Sequence, residues 1–136
     1  MNLLLDTHVF IWMLDGDKRM SQYARELIED QDNNLYMSVA SVWEMTIKSG
    51  MGRLNVPTPP TTLIKDHIYA NDIQLLPITP AHFDVLHTLP YHHKDPFDRL
   101  IIAQAIHEKM NLVTKDALFA PYTVQIVWNP TNTPKF

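Results

Sequence analysis

The sequence Asn2-Leu3-Leu4-Leu5-Asp6-Thr7, near the start of the chain, decides how the rest is interpreted. Its three consecutive leucines form a short apolar run, which predicts a buried strand over residues 2–5. Asp6 and Thr7 end the run with side chains that favour the start of a helix, and residues 9–14 can continue that helix. A buried strand that passes directly into a helix is typical of proteins in which strands and helices alternate.

The same alternation continues along the chain. Further strands are predicted at residues 35–37, 73–78, 112–113 and 124–128. Helices are predicted at residues 21–31, 41–49, 61–70, 80–89 and 96–109. We therefore predict an α/β fold, a three-layer α/β/α sandwich with a central, mostly parallel sheet. We expect one domain over residues 1–130 and a short C-terminal tail at residues 131–136.

Composition restricts the class of protein. Of 136 residues, 46% are hydrophobic and 19% are charged, as expected for a globular protein that folds without metal or disulfide cross-links. The chain has no cysteine, which excludes thiolate zinc sites and cysteine nucleophiles and permits a reducing compartment. The N-terminal apolar run has no basic leader and stops at Asp6. We therefore expect neither a signal peptide nor a membrane span, and a cytoplasmic location.

Four acidic residues fall where a parallel sheet forms binding sites. Asp6 follows the first predicted strand and Asp116 follows the strand at 112–113, so both lie at carboxyl ends of strands. Glu44 and Asp98 lie in the predicted first turns of helices, whose N-termini face the same edge when crossovers are regular. Such carboxylates repel one another unless a divalent cation neutralises them, and hard oxygen ligands suit Mg²⁺ or Mn²⁺. With a net charge of -4, the chain would also need cations to bind a nucleic acid.

Each acid also has a structural explanation as a cap. Asp6 can cap the first helix, and Asp116 can cap a turn at residues 117–119. The run Ser41-Val42-Trp43-Glu44 matches the capping box, in which a serine and a glutamate each bond an orphan amide. The run Asp95-Pro96-Phe97-Asp98 has an N-cap, a proline at the first helical position and an acid favoured by the helix dipole. For each acid taken singly, the capping interpretation is favoured, and for the four taken together a metal site is favoured. Whether Asp95 joins that site stays open.

Four stretches, in this order, resemble the acidic motifs of PIN domains. They are Leu3-Leu4-Leu5-Asp6-Thr7, Ser38-Val39-Ala40-Ser41-Val42-Trp43-Glu44, Asp98-Arg99-Leu100-Ile101-Ile102-Ala103-Gln104-Ala105 and Leu112-Val113-Thr114-Lys115-Asp116. Within that superfamily the chain most resembles VapC-type toxins of type II toxin–antitoxin systems, particularly a subgroup with a His-x-Asp-Pro-Phe-Asp-Arg stretch, here residues 93–99. The resemblance covers nearly the whole chain.

The resemblance implies a Mg²⁺-dependent endoribonuclease, with Mn²⁺ as the other candidate ion. Asp6 and Asp98 are then the most direct ligands of one or two ions, and Asp116 and Glu44 complete the site directly or through water. Such an ion polarises the phosphoryl oxygens, lowers the pKa of a bound water and stabilises the leaving 3′ oxygen. The resemblance also implies an RNA substrate, a small cognate antitoxin docked near the acidic pocket, and a homodimer. The helices at residues 21–31 and 61–70 are candidate dimer surfaces.

Polar residues near the acids have two interpretations each. Thr7 and Thr114 can position a ligand or water by hydrogen bond, or can satisfy local backbone groups. Four basic residues near the acids in sequence can contact RNA phosphates or be solvated surface; they are Lys48, Lys94, Arg99 and Lys115.

Histidines and tryptophans near the acids are assigned no role in the site. We interpret His92 and His93 as a polar connection, because adjacent histidines lack the helical or hairpin spacing of a metal-ligand set. Trp12 and Trp43 each lie in an apolar run, which predicts core positions for both.

Two other functions remain open from the sequence. A phosphohydrolase would use Asp6 as a nucleophile at the end of the first strand. Haloacid-dehalogenase-type enzymes would want another aspartate two positions on, where this chain has His8, so the sequence disfavours that function. The second alternative is a non-catalytic PIN-like module that binds RNA or a protein, and the presence of all four acids argues against it.

Overall fold

The strand that follows Met1 lies at the centre of a five-stranded sheet. The computed structural model describes residues 1–130 and gives the strands β1 (Asn2–Leu5), β2 (Asn34–Ser38), β3 (Ile73–Leu76), β4 (Asn111–Val113) and β5 (Ile126–Val127). Their order across the sheet is β3-β2-β1-β4-β5, and every pair of neighbours is parallel. The predicted mostly parallel sheet is confirmed. The predicted tail at residues 131–136 lies outside the described residues.

Helices cover both faces of this sheet. They are α1 (Thr7–Asp15), α2 (Gln22–Glu29), α3 (Val39–Gly50), α4 (Pro60–Leu63), α5 (Pro80–Thr88) and α6 (Pro96–Glu108). The chain continues from α4 through a π-helical turn (Ile64–Ile68) and a 3₁₀ turn (Tyr69–Asn71), and a second 3₁₀ turn (Ala117–Phe119) follows β4. Of the helices in this part of the chain, not one combines the length and the apolar run that crossing a bilayer requires.

Two hydrophobic cores lie on opposite faces of the sheet, as alternation along β1 requires. Leu3 and Leu5 pack into one core with side chains of α1 to α4, whereas Leu4 packs into the other with side chains of α6. All three leucines are fully buried. A sheet buried on both faces is expected for parallel strands, and the predicted three-layer α/β/α sandwich is confirmed.

The structure differs from the predicted boundaries where local chemistry ends or starts an element. The strand predicted at residues 73–78 ends at Leu76, because Pro77 has no N–H to continue a ladder of hydrogen bonds. The helix predicted at residues 41–49 begins at Val39, because the Ser38 hydroxyl accepts a hydrogen bond from the Ala40 N–H at 2.9 Å. β2 therefore passes into α3 without a loop, which places the acid of α3 close to the strand ends.

Candidate active site

The candidate site lies beyond the carboxyl ends of β1 and β4. From β1 the sheet extends through β2 to β3 on one side and through β4 to β5 on the other, so β1 and β4 flank the point where the strand order reverses. Ligands of open α/β sheets bind at such a point. The Asp6 N–H donates to the Val113 carbonyl at 3.0 Å, which keeps the two strands paired up to the site.

Asp6 is buried and makes no side-chain cap. It occupies the N-cap position of α1, yet no side-chain hydrogen bond caps the helix, so the capping explanation for this carboxylate is wrong. Its Oδ2 accepts a hydrogen bond from the Thr114 hydroxyl at 2.9 Å, and its Oδ1 is buried without a partner within residues 1–130. Burial raises the pKa of Asp6, and the Thr114 hydrogen bond opposes that rise. Thr114 therefore fills both roles that the sequence left open, because its hydroxyl orients Asp6 and also accepts from the backbone N–H of Asp116.

Glu44 lies in the second turn of α3, so the predicted capping box is wrong. Ser38 caps the helix, and Ser41 accepts a hydrogen bond from the Thr7 hydroxyl at 2.9 Å. The Glu44 side chain is buried; its Oε2 accepts from Lys48 Nζ at 2.5 Å, one helical turn away. Its Oε1 has no partner among the described residues. A carboxylate in this position does no capping and leaves one oxygen available to a ligand.

Asp98 lies in the first turn of α6, where the sequence placed it. Asp95 is the N-cap, and its Oδ1 accepts from the Asp98 N–H at 3.0 Å, so the predicted cap is confirmed. Burial raises the pKa of Asp98 to about 8, and the nearby carboxylates add to the rise; they are, in decreasing order, Asp6, Asp95, Glu44 and Asp116. The four predicted acids therefore converge closely enough to interact electrostatically.

Asp116 divides its two oxygens between a cap and the site. Its Oδ1 accepts from the Leu118 N–H at 2.9 Å and caps the 3₁₀ turn after β4, as the capping explanation required. Its Oδ2 lies 3.5 Å from Nε2 of His93. The Thr114 hydroxyl also accepts from the Asp116 N–H at 3.1 Å, which links Asp116 to the Asp6 side of the site.

His93 belongs to the site, although the sequence analysis assigned it to a polar connection. Its ring is buried, and Nε2 lies 3.0 Å from Oδ2 of Asp98 and 3.5 Å from Oδ2 of Asp116. Its Nδ1 accepts a hydrogen bond from the Asp95 N–H at 3.1 Å. The signal was present in the sequence: a histidine two residues before a helix N-cap can bond that cap residue's amide and face the first turn.

The geometry around His93 favours a hydrogen-bond donor over a metal ligand. Donor atoms of His93, Asp98 and Asp116 lie within 4.8 Å of one another, close enough to hold an ion. In a neutral imidazole, however, the nitrogen that accepts a hydrogen bond carries no proton, so the proton is on Nε2. A protonated Nε2 donates to carboxylates and has no lone pair for a metal. The carboxylate oxygens are therefore the metal-ligand candidates, and His93 Nε2 lies beside two of them without a hydrogen bond of good geometry to any residue within 1–130.

Two of the four basic residues near the acids are occupied by protein contacts. Arg99 is buried, and its guanidinium donates to the carbonyls of Pro90 at 2.8 Å and Leu89 at 3.2 Å, so neither of its two interpretations, a phosphate contact or solvated surface, describes it. Lys48 pairs with Glu44. Lys115 is exposed and lines the acidic pocket.

The pocket over the acids has a volume of about 380 Å³. The residues that line it are Asp6, His8, Trp12, Asp98, Lys115 and Asp116. Trp12 is only half-buried, and Trp43 is 55% exposed and packs edge-on against Phe97 with ring centroids 5.0 Å apart. The predicted core position is therefore wrong for Trp43, and Trp12 contributes to the pocket wall as well as to the core.

Fold and site together define a class: an α/β protein with a parallel sheet and a carboxylate pocket at its switch point. The PIN domain family model matches residues 3–123, and the chain belongs to that family. The resemblance seen in the four acidic motifs is confirmed.

Individual relatives agree with the family assignment. The chain is 32% identical to "Ribonuclease VapC22" of Mycobacterium tuberculosis over 115 residues, which cover 84% of this chain and 86% of the relative. Among solved structures, it is similar to a chain of VapBC2 from Rickettsia felis bound to a promoter DNA fragment, with a TM-score of 0.71, 16% identity and coverage of 95% of this chain and 100% of that one. A toxin–antitoxin complex from Klebsiella pneumoniae gives a TM-score of 0.60 at 16% identity, covering 92% of this chain and 95% of that one. At these identities the solved structures support the fold.

Proposed function

We propose that the chain is a Mg²⁺-dependent endoribonuclease and the toxin component of a toxin–antitoxin pair. One observation carries the proposal: Asp6 Oδ1 and Glu44 Oε1 are buried carboxylate oxygens without a partner within residues 1–130. Lys48 pairs only with the other oxygen of Glu44, and a divalent cation would offset the remaining cost of burying these carboxylates together. The relative named a ribonuclease supports RNA as the substrate.

The donor set fits a hard divalent cation. Asp6 through Oδ1 and Asp98 are the most direct ligands in this proposal, with Glu44 through Oε1 and Asp116 through Oδ2 completing the set directly or through water. Carboxylate oxygens without sulfur or nitrogen ligands suit Mg²⁺, with Mn²⁺ as the alternative. The pKa values of Asp6 and Asp98 are raised first by burial and then by neighbouring carboxylates, which agrees with this use, because buried acids without a cation hold their protons.

The residues around the acids prepare the site for phosphodiester hydrolysis. A bound ion would polarise the phosphoryl oxygens, activate the attacking water and stabilise the leaving 3′ oxygen. The Thr114 hydroxyl fixes the orientation of Asp6, and the protonated Nε2 of His93 faces Asp98 and Asp116. Lys48 neutralises part of the charge on Glu44. Hydrolysis by water requires no covalent intermediate on the protein.

Cleavage of RNA by the purified protein tests this proposal. We expect cleavage in Mg²⁺, none in EDTA, and a loss of at least about 100-fold in Asp6→Asn, because even indirect partners of metal ligands contribute about 10–100-fold. Asp84→Asn removes an exposed acid outside the site and outside the candidate dimer surfaces, and should keep the wild-type rate. A wild-type protein that binds Mg²⁺ and cleaves no RNA would overturn the nuclease and leave a non-catalytic PIN-like module.

We propose in addition a small cognate antitoxin that docks near the acidic pocket and presents a basic side chain to it. Pairing with Arg or Lys relieves the repulsion among the carboxylates. One similar solved structure is described as a toxin–antitoxin complex, and two others are described as VapBC2 and VapBC-1, which supports such a partner. Growth of cells that express the chain alone, compared with cells that also express a neighbouring small reading frame, tests it. Unhindered growth with the chain alone would contradict the toxin assignment.

The remaining parts of the proposal concern assembly and location. We propose that residues 1–130 form a single nuclease domain that acts in the cytoplasm as a homodimer. The faces of α2 and of the segment from α4 through Asn71 are the candidate dimer surfaces. The mass of the purified protein by light scattering tests the dimer, and a monomeric mass would contradict it.

A further inference from the structure

The acidic pocket has a second wall of different chemistry. Its acids are Asp6, Asp98 and Asp116, whereas the opposite lining consists of His8, Trp12 and Lys115. Trp12 is half-buried, and both His8 and Lys115 are exposed. The same cavity of about 380 Å³ therefore joins the proposed cutting site to an aromatic ring and a lysine.

Trp12 is held in place and has cations beside it. Its indole packs edge-on against Trp128, with ring centroids 6.0 Å apart. The guanidinium carbon of Arg19 lies 4.9 Å from the centre of the Trp12 ring, and Nζ of Lys115 lies 6.0 Å from it. Such distances allow cation–π attraction, which keeps both cations near the ring. We call Trp12, Arg19 and Lys115 the Trp12 wall.

Arg19 and Lys115 differ in whether another residue of the protein neutralises their charge. Arg19 donates to both oxygens of Asp17, at 3.1 Å and 2.8 Å, and these hydrogen bonds lower the pKa of Asp17 to about 2. Asp17 therefore fixes Arg19 over the indole. Lys115 forms no salt bridge with any residue in the described part of the chain, so its charge is available to a ligand.

A polyanion that approaches the acidic pocket needs cations beside it to offset the repulsion by the carboxylates. The chain carries a net charge of -4 and the pocket concentrates carboxylates, so a phosphate chain is repelled on approach unless cations lie beside the acids. An aromatic ring between cations is the combination that binds single-stranded nucleic acid, with a base against the ring and phosphates against the cations. A cavity of this volume accepts a small-molecule-sized group, which suits one nucleotide and not a duplex.

We propose that the Trp12 wall is the subsite for a nucleotide next to the scissile phosphate, in a single-stranded RNA. The base packs against the Trp12 indole and Lys115 contacts a neighbouring backbone phosphate, while Arg19, held by Asp17, keeps the indole in place. The inference rests on the proposed ribonuclease function and adds the strand state of the substrate and the residues that bind it. Trp12 and Lys115 are thus binding residues and take no part in the chemical step.

Binding of fluorescein-labelled oligouridylate, measured by fluorescence anisotropy in EDTA, tests the wall without any cleavage. We expect Trp12→Ala to raise Kd by about 5- to 100-fold, because a stacked base contributes an affinity factor of that order, and Trp12→Phe to keep most of the affinity. Lys115→Ala should weaken binding and reduce the slope of log Kd against log salt by about one. Phe83→Ala and Arg53→Ala, which remove an exposed aromatic ring and an exposed cation outside the pocket and outside the candidate dimer surfaces, should bind as wild type.

The outcomes separate this proposal from the nuclease assignment. Wild-type Kd values in both Lys115→Ala and a folded Trp12→Ala would overturn the wall even where RNA is cleaved in Mg²⁺. A duplex of equal length that competes as well as the single strand would also overturn it. Trp12-dependent binding in a protein that cleaves nothing would support the wall and overturn the nuclease. Lys115 is exposed, so its variant keeps the test valid where Trp12→Ala fails to fold.

Discussion

Two buried histidines, His82 and His93, have the same local geometry in two regions of the molecule. At the start of α5, His82 Nδ1 accepts from the Thr79 N–H at 3.0 Å, and its Nε2 lies 3.5 Å from Oε1 of Glu108. Before α6, His93 Nδ1 accepts from the Asp95 N–H at 3.1 Å, and its Nε2 faces Asp98 and Asp116. Both Nδ1 atoms are therefore acceptors, and both Nε2 atoms lie near carboxylate oxygens without a hydrogen bond of good geometry to any residue in the described part of the chain.

The difference lies in the carboxylates that each histidine meets. His82 faces one partly exposed glutamate between two helices, and its other ring nitrogen accepts from the Thr79 N–H at the start of α5. His93 faces two acids that belong to a larger buried group at the strand ends. A buried histidine is thus no sign of a site by itself. The excess of carboxylates over cations around His93 distinguishes a candidate metal site from a structural contact.

The largest expected effect compares the acid partners of the two histidines. Asp98→Asn should lower the rate of RNA cleavage in Mg²⁺ by at least about 100-fold, because it removes a proposed metal ligand. Glu108→Gln should cleave RNA at the wild-type rate, since its side chain serves only the His82 contact. Initial rates on one RNA, with thermal melts to check folding, make the comparison. Equal cleavage rates for the two variants would contradict the claim that Asp98 belongs to the active site and Glu108 does not.

A smaller effect is expected from the histidines themselves. His93→Leu should lower kcat by about 10- to 100-fold, the usual range for partners that orient metal ligands, and His93→Gln should recover part of it through its amide N–H. His82→Leu should leave kcat unchanged and lower the free energy of unfolding by about 1 kcal/mol, because the α5 cap is lost. Steady-state kinetics and urea melts distinguish the two. An unchanged kcat in His93→Leu would remove His93 from the site.

A last effect concerns pH and the stability of the metal-free protein. The pKa of Asp98 rises from its ordinary 3.8 to about 8 on folding, so the folded protein holds a proton that the unfolded chain releases. Its contribution to stability is complete below about pH 4 and is lost as the pH rises through about 8. In EDTA, the wild-type melting temperature should therefore fall relative to that of Asp98→Asn as the pH is raised from about 4 to about 8. A constant difference between the two proteins would contradict the raised pKa.

The sequence predicted the sheet because its signals are local. The leucines of β1 and the Asp95-Pro96 start of α6 determine their elements within a few residues, and the structure has both. The site was harder to predict, because convergence depends on which strand lies beside which. Asp6 and Asp116 meet only because β1 pairs with β4, and no local pattern reports that pairing.

Capping chemistry accounts for the residues that the sequence misplaced. Ser41 and Ser38 offer α3 the same cap, and Ser38 prevails because β2 ends on it, which moves Glu44 from the first turn into a buried position. His93 was missed because its role arises from a bond between its own Nδ1 and a backbone amide. Arg99 carries a charge that suits RNA, yet its burial against backbone carbonyls is visible only in the folded chain.

Metal binding tests the central claim most directly, since the four acids are proposed to converge in order to hold a cation. Titration of Mn²⁺ into the metal-free protein, followed by the electron paramagnetic resonance signal of free Mn²⁺, measures it without any RNA. We predict saturable binding of one or two ions per chain that is lost or weakened at least about 10-fold in Asp6→Asn and is unchanged in Asp84→Asn. Equal binding by wild type and Asp6→Asn, or no binding by either, would contradict the account.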